Sequence, residues 1–240
     1  MAFNLQASIE IAGVDAVMIV FDAKVDKQIN QQVHLLREAI IQAQPVWLSD
    51  VVAAYHTLMV VYDIQRTTFE HVQHWLKAQL IELQQRQVTP KVAGIHEYFV
   101  CYEPEFALDI ERVCHCTGLS AEEVSQRHSA ETYHVYTIGF APGFAYLGDV
   151  PNALQVARLD TPRTKVPAGS VAIANQQTAI YPRTSPGGWN IIGRVAGWTD
   201  RSGLKLQAGD QVRFTSVSKQ RFLEIEANSQ SNHIEERHDD

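Results

Sequence analysis

Residues 139–148 read GFAPGFAYLG. Three glycines and a proline break regular structure, while two phenylalanines and a tyrosine demand burial. Two readings fit. The stretch is a loop whose backbone closes on a ligand, or a tight corner whose aromatic side chains fill a β-barrel. The surrounding chain favours the corner. Ten of the thirteen glycines and most of the nine prolines lie beyond Tyr133. Between them run short β-like segments at 134–138, 154–159, 170–174, 177–181, 189–195, 211–217 and 222–225. Gly209-Asp210 gives a hairpin signal between Leu204–Leu206 and Val212–Phe214. Many short strands with Gly/Pro punctuation predict a closed barrel or a sandwich, with Phe140, Phe144, Tyr146 and Trp189 filling it. The polar residues at 228–240 read as a disordered tail.

Upstream, the periodicity is different. Val17–Phe21 is a short apolar run, read as a buried strand. Ile29, Val33, Leu36 and Ile40 recur at helical spacing behind Asp26, a predicted N-cap. Strand-like runs follow at 46–53 and 58–62. Thr67 and Glu70 have capping-box spacing before a second helical stripe, Phe69, Val72, Leu76, Leu80 and Leu83. His96–Tyr102 reads as a last strand. The order β-α-β-β-α-β is the ferredoxin-like unit, with an extra strand at 5–11 preceding it. A helix ending at Gly118 and another opened by a Ser120/Glu123 capping box bridge the two halves. The expected architecture is α+β. Residues 1–103 form a ferredoxin-like α/β domain, 104–132 a helical connector, 133–227 a β-barrel and 228–240 the tail.

Bulk properties narrow the function. The formal net charge of -7 argues against general nucleic-acid binding. No apolar run approaches the ~20 residues that span a bilayer. The start, MAFNLQASIE, lacks a basic n-region and an apolar core, so a cytoplasmic location is expected. Three cysteines do not make a disulfide framework. Cys114 and Cys116 point to opposite sides of a helix, so no metal site is expected there.

Four stretches are dense in glycine, proline and cations: 139–148, TPRTKVPAGSVAIA at 161–174, QTAIYP at 177–182 and SPGGWNIIGR at 185–194. Glycine-rich loops bring backbone N–H groups to an anion, and Arg163, Lys165, Arg183 and Arg194 stand nearby in sequence. Gly188–Arg194 has P-loop glycine spacing. However, arginine and Val195 replace the required Lys and Ser/Thr, and the intervening residues read as a strand. No nucleophile elbow or H-E-x-x-H motif occurs. His128 and His134 flank the barrel entry as acid/base or plain polar residues.

Taken in order, the four stretches resemble one known family, that of the 5-oxoprolinase B subunit, the sporulation-kinase inhibitor KipI and the first subunit of allophanate hydrolases. GLSAEEV (118–124), AGDQVRF (208–214) and AYHTLMVVYD (54–63) add to the resemblance, which runs from about Asp15 to Val217. It implies a cyclophilin-like barrel and partner subunits of the C and A types. Together these open the lactam of 5-oxoproline to glutamate with ATP, and Mg²⁺ is expected with the ATP. The nucleotide belongs to the complex and not necessarily to this chain. CYEPEF (101–106) stands where members often have a glycine-containing stretch, and PGFAYLG where PGFPYLG is usual. These departures bear on substrate fit more than on fold.

On this resemblance, His128, Arg163 and Lys165 are the candidate catalytic residues, His128 for proton transfer and the two cations for an anion. Arg194 is a further anion contact. Gln177, Tyr181 and Ser185 are polar contacts, and Phe140, Pro142, Gly143 and Tyr146 shape a pocket wall. Two other uses fit the resemblance: a KipI-like binding module that contacts a histidine kinase, and a carboxyltransferase-type subunit needing separate biotin-bearing partners.

Overall fold

The computed structural model describes residues 7–22, 24–85, 94–199 and 205–235, with 230–235 described for the backbone alone. The chain divides into two compact units, Met1–Val92 and Ala93–Asp240.

In the first unit, β1 (Ser8–Ile11), β2 (Ala16–Val20), β3 (Leu48–Ala53) and β4 (Thr57–Tyr62) form an antiparallel sheet of order β1-β2-β4-β3. Alternation puts Val17 and Ile19 of β2 and Leu58 and Val60 of β4 into the core. There they meet the apolar stripes of α1 (Lys27–Ala43) and α2 (Phe69–Gln85). Asp26 caps α1 as expected, accepting from the backbone N–H groups of Gln28 and Ile29. At α2 the cap is Thr68, whose hydroxyl accepts from His71 N–H, rather than Thr67.

The strand predicted to complete a ferredoxin-like unit goes elsewhere. β5 (Ile95–Cys101) belongs to the second unit, where it pairs in parallel with β13 (Gln211–Ser216) and antiparallel with β12 (Asn190–Val195). The edge of β2 that such a strand would occupy is taken by β1. Periodicity identifies a strand but not the sheet that its edges join, and both partners of β5 lie more than 80 residues downstream. The ferredoxin-like description therefore does not hold for the sheet as observed, and the first unit stops before residue 103.

The barrel closes in the order β10-β7-β6-β13-β5-β12-β9. Its remaining strands are β6 (Thr132–Ile138), β7 (Ala145–Gly148), β9 (Ser170–Ala174) and β10 (Gln177–Ile180). A separate two-stranded ribbon pairs β8 (Arg163–Val166) with β11 (Ser185–Gly187). The helices read as a connector, α3 (Ile110–Thr117) and α4 (Ala121–Ser129), contribute Ile110, Val113 and Val124 to the barrel's own core. Gly118 ends α3 in the left-handed region, and Ser120 with Glu123 forms a complete capping box.

Three segments depart from the predicted strands. Residues 154–159 contain only the end of a short 3₁₀ turn, Asn152–Leu154. Lys205 and Leu206 are not strand, so the Gly209-Asp210 turn feeds β13 into pairings with β5 and β6; Leu204 lies outside the described residues. Residues 222–225 lie in α5 (Lys219–Glu235), which also replaces most of the expected tail; 236–240 lie outside the described residues. The helix has a reason to form. Phe222 is buried, and Glu226, one turn on, accepts from Gly197 N–H at 2.9 Å. No helix among the described residues is long and apolar enough to cross a membrane.

Candidate functional site

Alternation along the barrel strands sorts their side chains into two clusters. Ala145 and Leu147 of β7, Val171 and Ile173 of β9, Ile180 of β10 and Ile192 of β12 join the large barrel core. Their neighbours face the other way. Phe144, Tyr146, Ala172, Ala174, Ala179, Tyr181, Trp189 and Ile191 make a second cluster with Val166 of the ribbon. The aromatic residues predicted to fill the barrel thus pack on its outer wall. Period-2 alternation says that a strand has two faces, not which one is enclosed.

Phe144 is the hub of this outer cluster. It is 3% exposed and meets Tyr146, Tyr181, Trp189 and Phe140 edge-on, at centroid distances of 4.9, 5.6, 5.9 and 5.5 Å. Each such pair adds about 0.5–1.5 kcal/mol to the burial itself. The 139–148 stretch makes this possible by turning sharply. Phe144 N–H donates to Ala141 O and Gly139 N–H to Phe144 O, while Gly143 takes φ 78°. Phe140 also lies in the left-handed region, at φ 68°, and is 72% exposed. Such a backbone is unfavourable for a bulky side chain. On the far side the ribbon covers Tyr181. Here a Cβ on Gly187 would overlap the Tyr181 hydroxyl, so only glycine lets the ribbon approach so closely.

Two arginines flank this cluster, in different electrostatic situations. Arg163 donates from Nη1 and Nη2 to the two carboxylate oxygens of Asp109 at 2.8 and 2.6 Å. Asp109 is 6% exposed and also accepts from Ile191 N–H at 2.8 Å. The pair ties the ribbon to the start of α3 and to β12. The guanidinium of Arg158 instead lies 5.7 Å from the ring centre of Trp189 and forms no ion pair with any described carboxylate. Burial raises the pKa of both Tyr146 and Tyr181, and the positive charge of Arg158 opposes that rise at each.

His128 is placed away from this surface. It projects from α4 into the end of the barrel, fully buried and stacked on Phe214 at 4.8 Å. Its Nδ1 lies 2.8 Å from the Tyr102 hydroxyl and its Nε2 2.9 Å from Thr178 Oγ1. Thr178 spends its single proton on Ala172 O, at 3.1 Å. Thr178 must therefore accept from Nε2–H, and Nδ1 must accept from Tyr102. Desolvation holds the His128 pKa down at about 3. A neutral imidazole with both nitrogens engaged is a structural element of the core.

Of the other predicted site residues, Gly143, Tyr146, Tyr181, Phe140 and Arg163 belong to the outer cluster or border it. Pro142 is exposed on the same turn. Gln177, half-buried, opens β10 on the face of Ala179 and Tyr181. Ser185 sits in the ribbon opposite Val166, and Lys165 is exposed on β8. Arg194 lies farther along β12, opposite Ser170 and Cys101. Sequence reasoning passed over Arg158 and Asp109. Arg158 stands just before a motif that drew attention to Arg163, and Asp109 looks like an ordinary residue at a helix start.

The chain matches the carboxyltransferase domain, subdomain C and D, over residues 7–201. It is 34% identical over 234 residues to the 5-oxoprolinase B subunit of Bacillus subtilis (strain 168), covering 91% of this chain and 96% of that one. The crystal structure of TTHA0988 superposes with a TM-score of 0.71 at 33% identity, over 85% of this chain and 40% of that one. Kluyveromyces lactis urea carboxylase superposes with a TM-score of 0.77 at 17% identity, over 94% of this chain and 23% of that one, a likeness of fold alone. The chain thus spans less than half the length of each of these two larger structures.

Proposed function

This chain belongs to the carboxyltransferase-domain family, and we propose that it is the B-type subunit of an ATP-dependent 5-oxoprolinase. The observation that carries the reading is the near end-to-end match to a subunit of that name. The outer aromatic cluster supports it. 5-Oxoproline is a compact lactam ring bearing a carboxylate, and an aromatic surface flanked by arginine suits both parts. A lactam amide is unreactive, and ATP supplies activation of its oxygen. We assign the nucleotide and its Mg²⁺ to the complex, with C-type and A-type subunits as partners.

In this reading each residue has a defined task. Phe140 and Tyr146 cover the ring and exclude water, and the buried Trp189 backs Tyr146. Pro142 and Gly143 hold the turn that presents Phe140. Lys165 and Arg194 remain candidates for anionic groups brought by a partner, and Gln177 and Ser185 for polar contacts. Arg163 positions the ribbon through Asp109. Proton transfer falls to a group outside His128.

The test is co-expression with the A-type and C-type subunits, followed by an assay for ATP-dependent glutamate release from 5-oxoproline. Release that requires all three chains supports the reading. No release from the full set, together with tight binding to a histidine kinase, would replace it with the KipI-like one.

A further inference from the structure

Resting on that reading, we infer that Arg158 is the specificity-determining residue that recognises the substrate carboxylate, with Trp189 beneath it and Tyr146 beside Trp189.

Three observations carry this. The first is charge. In a chain of net charge -7, Arg158 lies over an aromatic ring and has no described carboxylate partner, whereas Arg163 is held by a buried one. Arg163 must break two charge-assisted bonds to meet a ligand, and Arg158 none. The second is position. Arg158 acts electrostatically on both Tyr146 and Tyr181, two hydroxyl-bearing rings that meet at Phe144, whereas Arg163 acts on Tyr181 but not on Tyr146. The third is the turn. Phe140 is exposed and held at φ 68°, and it contacts Phe144, the ring that touches Trp189. Exposed aromatic residues on a strained backbone cluster at ligand clamps.

The ligand class follows from the donors. A planar guanidinium offers two parallel N–H groups to a carboxylate, and the indole face holds the guanidinium plane in place. A ring the size of a lactam then lies against Tyr146, the neighbour of Trp189. A neutral lactam without the carboxylate would cover Arg158 and leave its charge unanswered, so the surface rejects it.

The experiment compares wild type, Arg158→Gln and Arg158→Lys in the reconstituted three-subunit enzyme. Arg158→Gln is expected to raise KM for 5-oxoproline about 10- to 100-fold, the loss of a charge-assisted pair, with kcat changed only a few-fold. Arg158→Lys should fall between the two. The preference for 5-oxoproline over 2-pyrrolidone, which lacks the carboxylate, should collapse in Arg158→Gln. An unchanged KM in a folded Arg158→Gln enzyme that still turns over would overturn the assignment while leaving the proposed function intact.

A second measurement does not depend on turnover. The indole N–H resonance of Trp189 in the isolated full chain is followed as 5-oxoproline or 2-pyrrolidone is added, with Trp189→Phe to assign it. A saturable shift with 5-oxoproline alone, lost in Arg158→Gln, supports the carboxylate site even if the complex proves to catalyse something else. A shift that persists in Arg158→Gln, or no shift in wild type, sinks it.

Discussion

Replacing His128 by glutamine should flatten the acid side of the barrel unit's stability profile. Glutamine can keep both polar contacts, accepting from Tyr102 through its carbonyl and donating to Thr178 through its amide, but it cannot titrate. In the wild type the imidazole is neutral when folded, its pKa lowered from 6.5 to about 3 by burial. As pH falls through 6.5 the unfolded chain takes up a proton that the folded protein refuses until near 3. The stability is therefore whole above 6.5 and drains as pH falls toward 3. Each full pH unit below 6.5 is worth about 1.4 kcal/mol, so between pH 7.5 and 4.5 this one group removes about 2.7 kcal/mol. At pH 7.5 the variant should be less stable by about 1–3 kcal/mol, because the stack on Phe214 is lost. By pH 4.5 the two proteins should be nearly equal. The assay is urea unfolding at several pH values, read from hydrogen exchange in peptides covering β9 and β10, which isolates the barrel from the first unit. Parallel pH profiles for wild type and His128→Gln would refute the reasoning and return His128 to the candidates for proton transfer.

Arg163→Ala should lower the stability of the barrel unit by about 2–4 kcal/mol, because it leaves Asp109 buried without its counter-charge. Thermal unfolding of Arg163→Ala and of the Arg163→Ala/Asp109→Asn double variant checks this. The double variant should recover part of the loss, and a melting temperature unchanged by Arg163→Ala argues against the tie. Gly187→Ala should cost about 1–3 kcal/mol by driving a methyl group into the Tyr181 ring, whereas Gly139→Ala, with open space at its Cβ, should be near neutral. Equal effects at the two glycines would show that the ribbon does not press on Tyr181.

Much of this protein is written locally. The Asp26 cap, the Ser120/Glu123 box, the Gly118 stop and the α1 and α2 stripes depend on residues within one or two turns, so they are legible in the sequence. The same holds for the β-rich second half, because glycine and proline act on their own φ angles. The motif order likewise suffices to point to the family. Edge pairing is different. β5 looks like any half-buried strand, and its place in the barrel is decided by β12 and β13, far along the chain. Segment 222–225 alternates enough to pass for a strand, until Phe222 and Glu226 find partners one helical turn apart.

For the candidate site the division is sharper. Sequence alone determined that 139–148 turns tightly and carries aromatic side chains, and it named Tyr146, Tyr181 and Arg163 as neighbours in chemistry. Only the tertiary structure decided that these rings lie outside the barrel, that Arg163 is matched by Asp109, and that Arg158 is not matched by any described carboxylate. It also decided that His128 is sealed between Tyr102 and Thr178. The physical reason is common to all four. A charge's partner and a ring's enclosed face depend on groups brought close by folding, at separations of 26 to 54 residues for the His128 and Arg163 contacts, where local spacing carries no information.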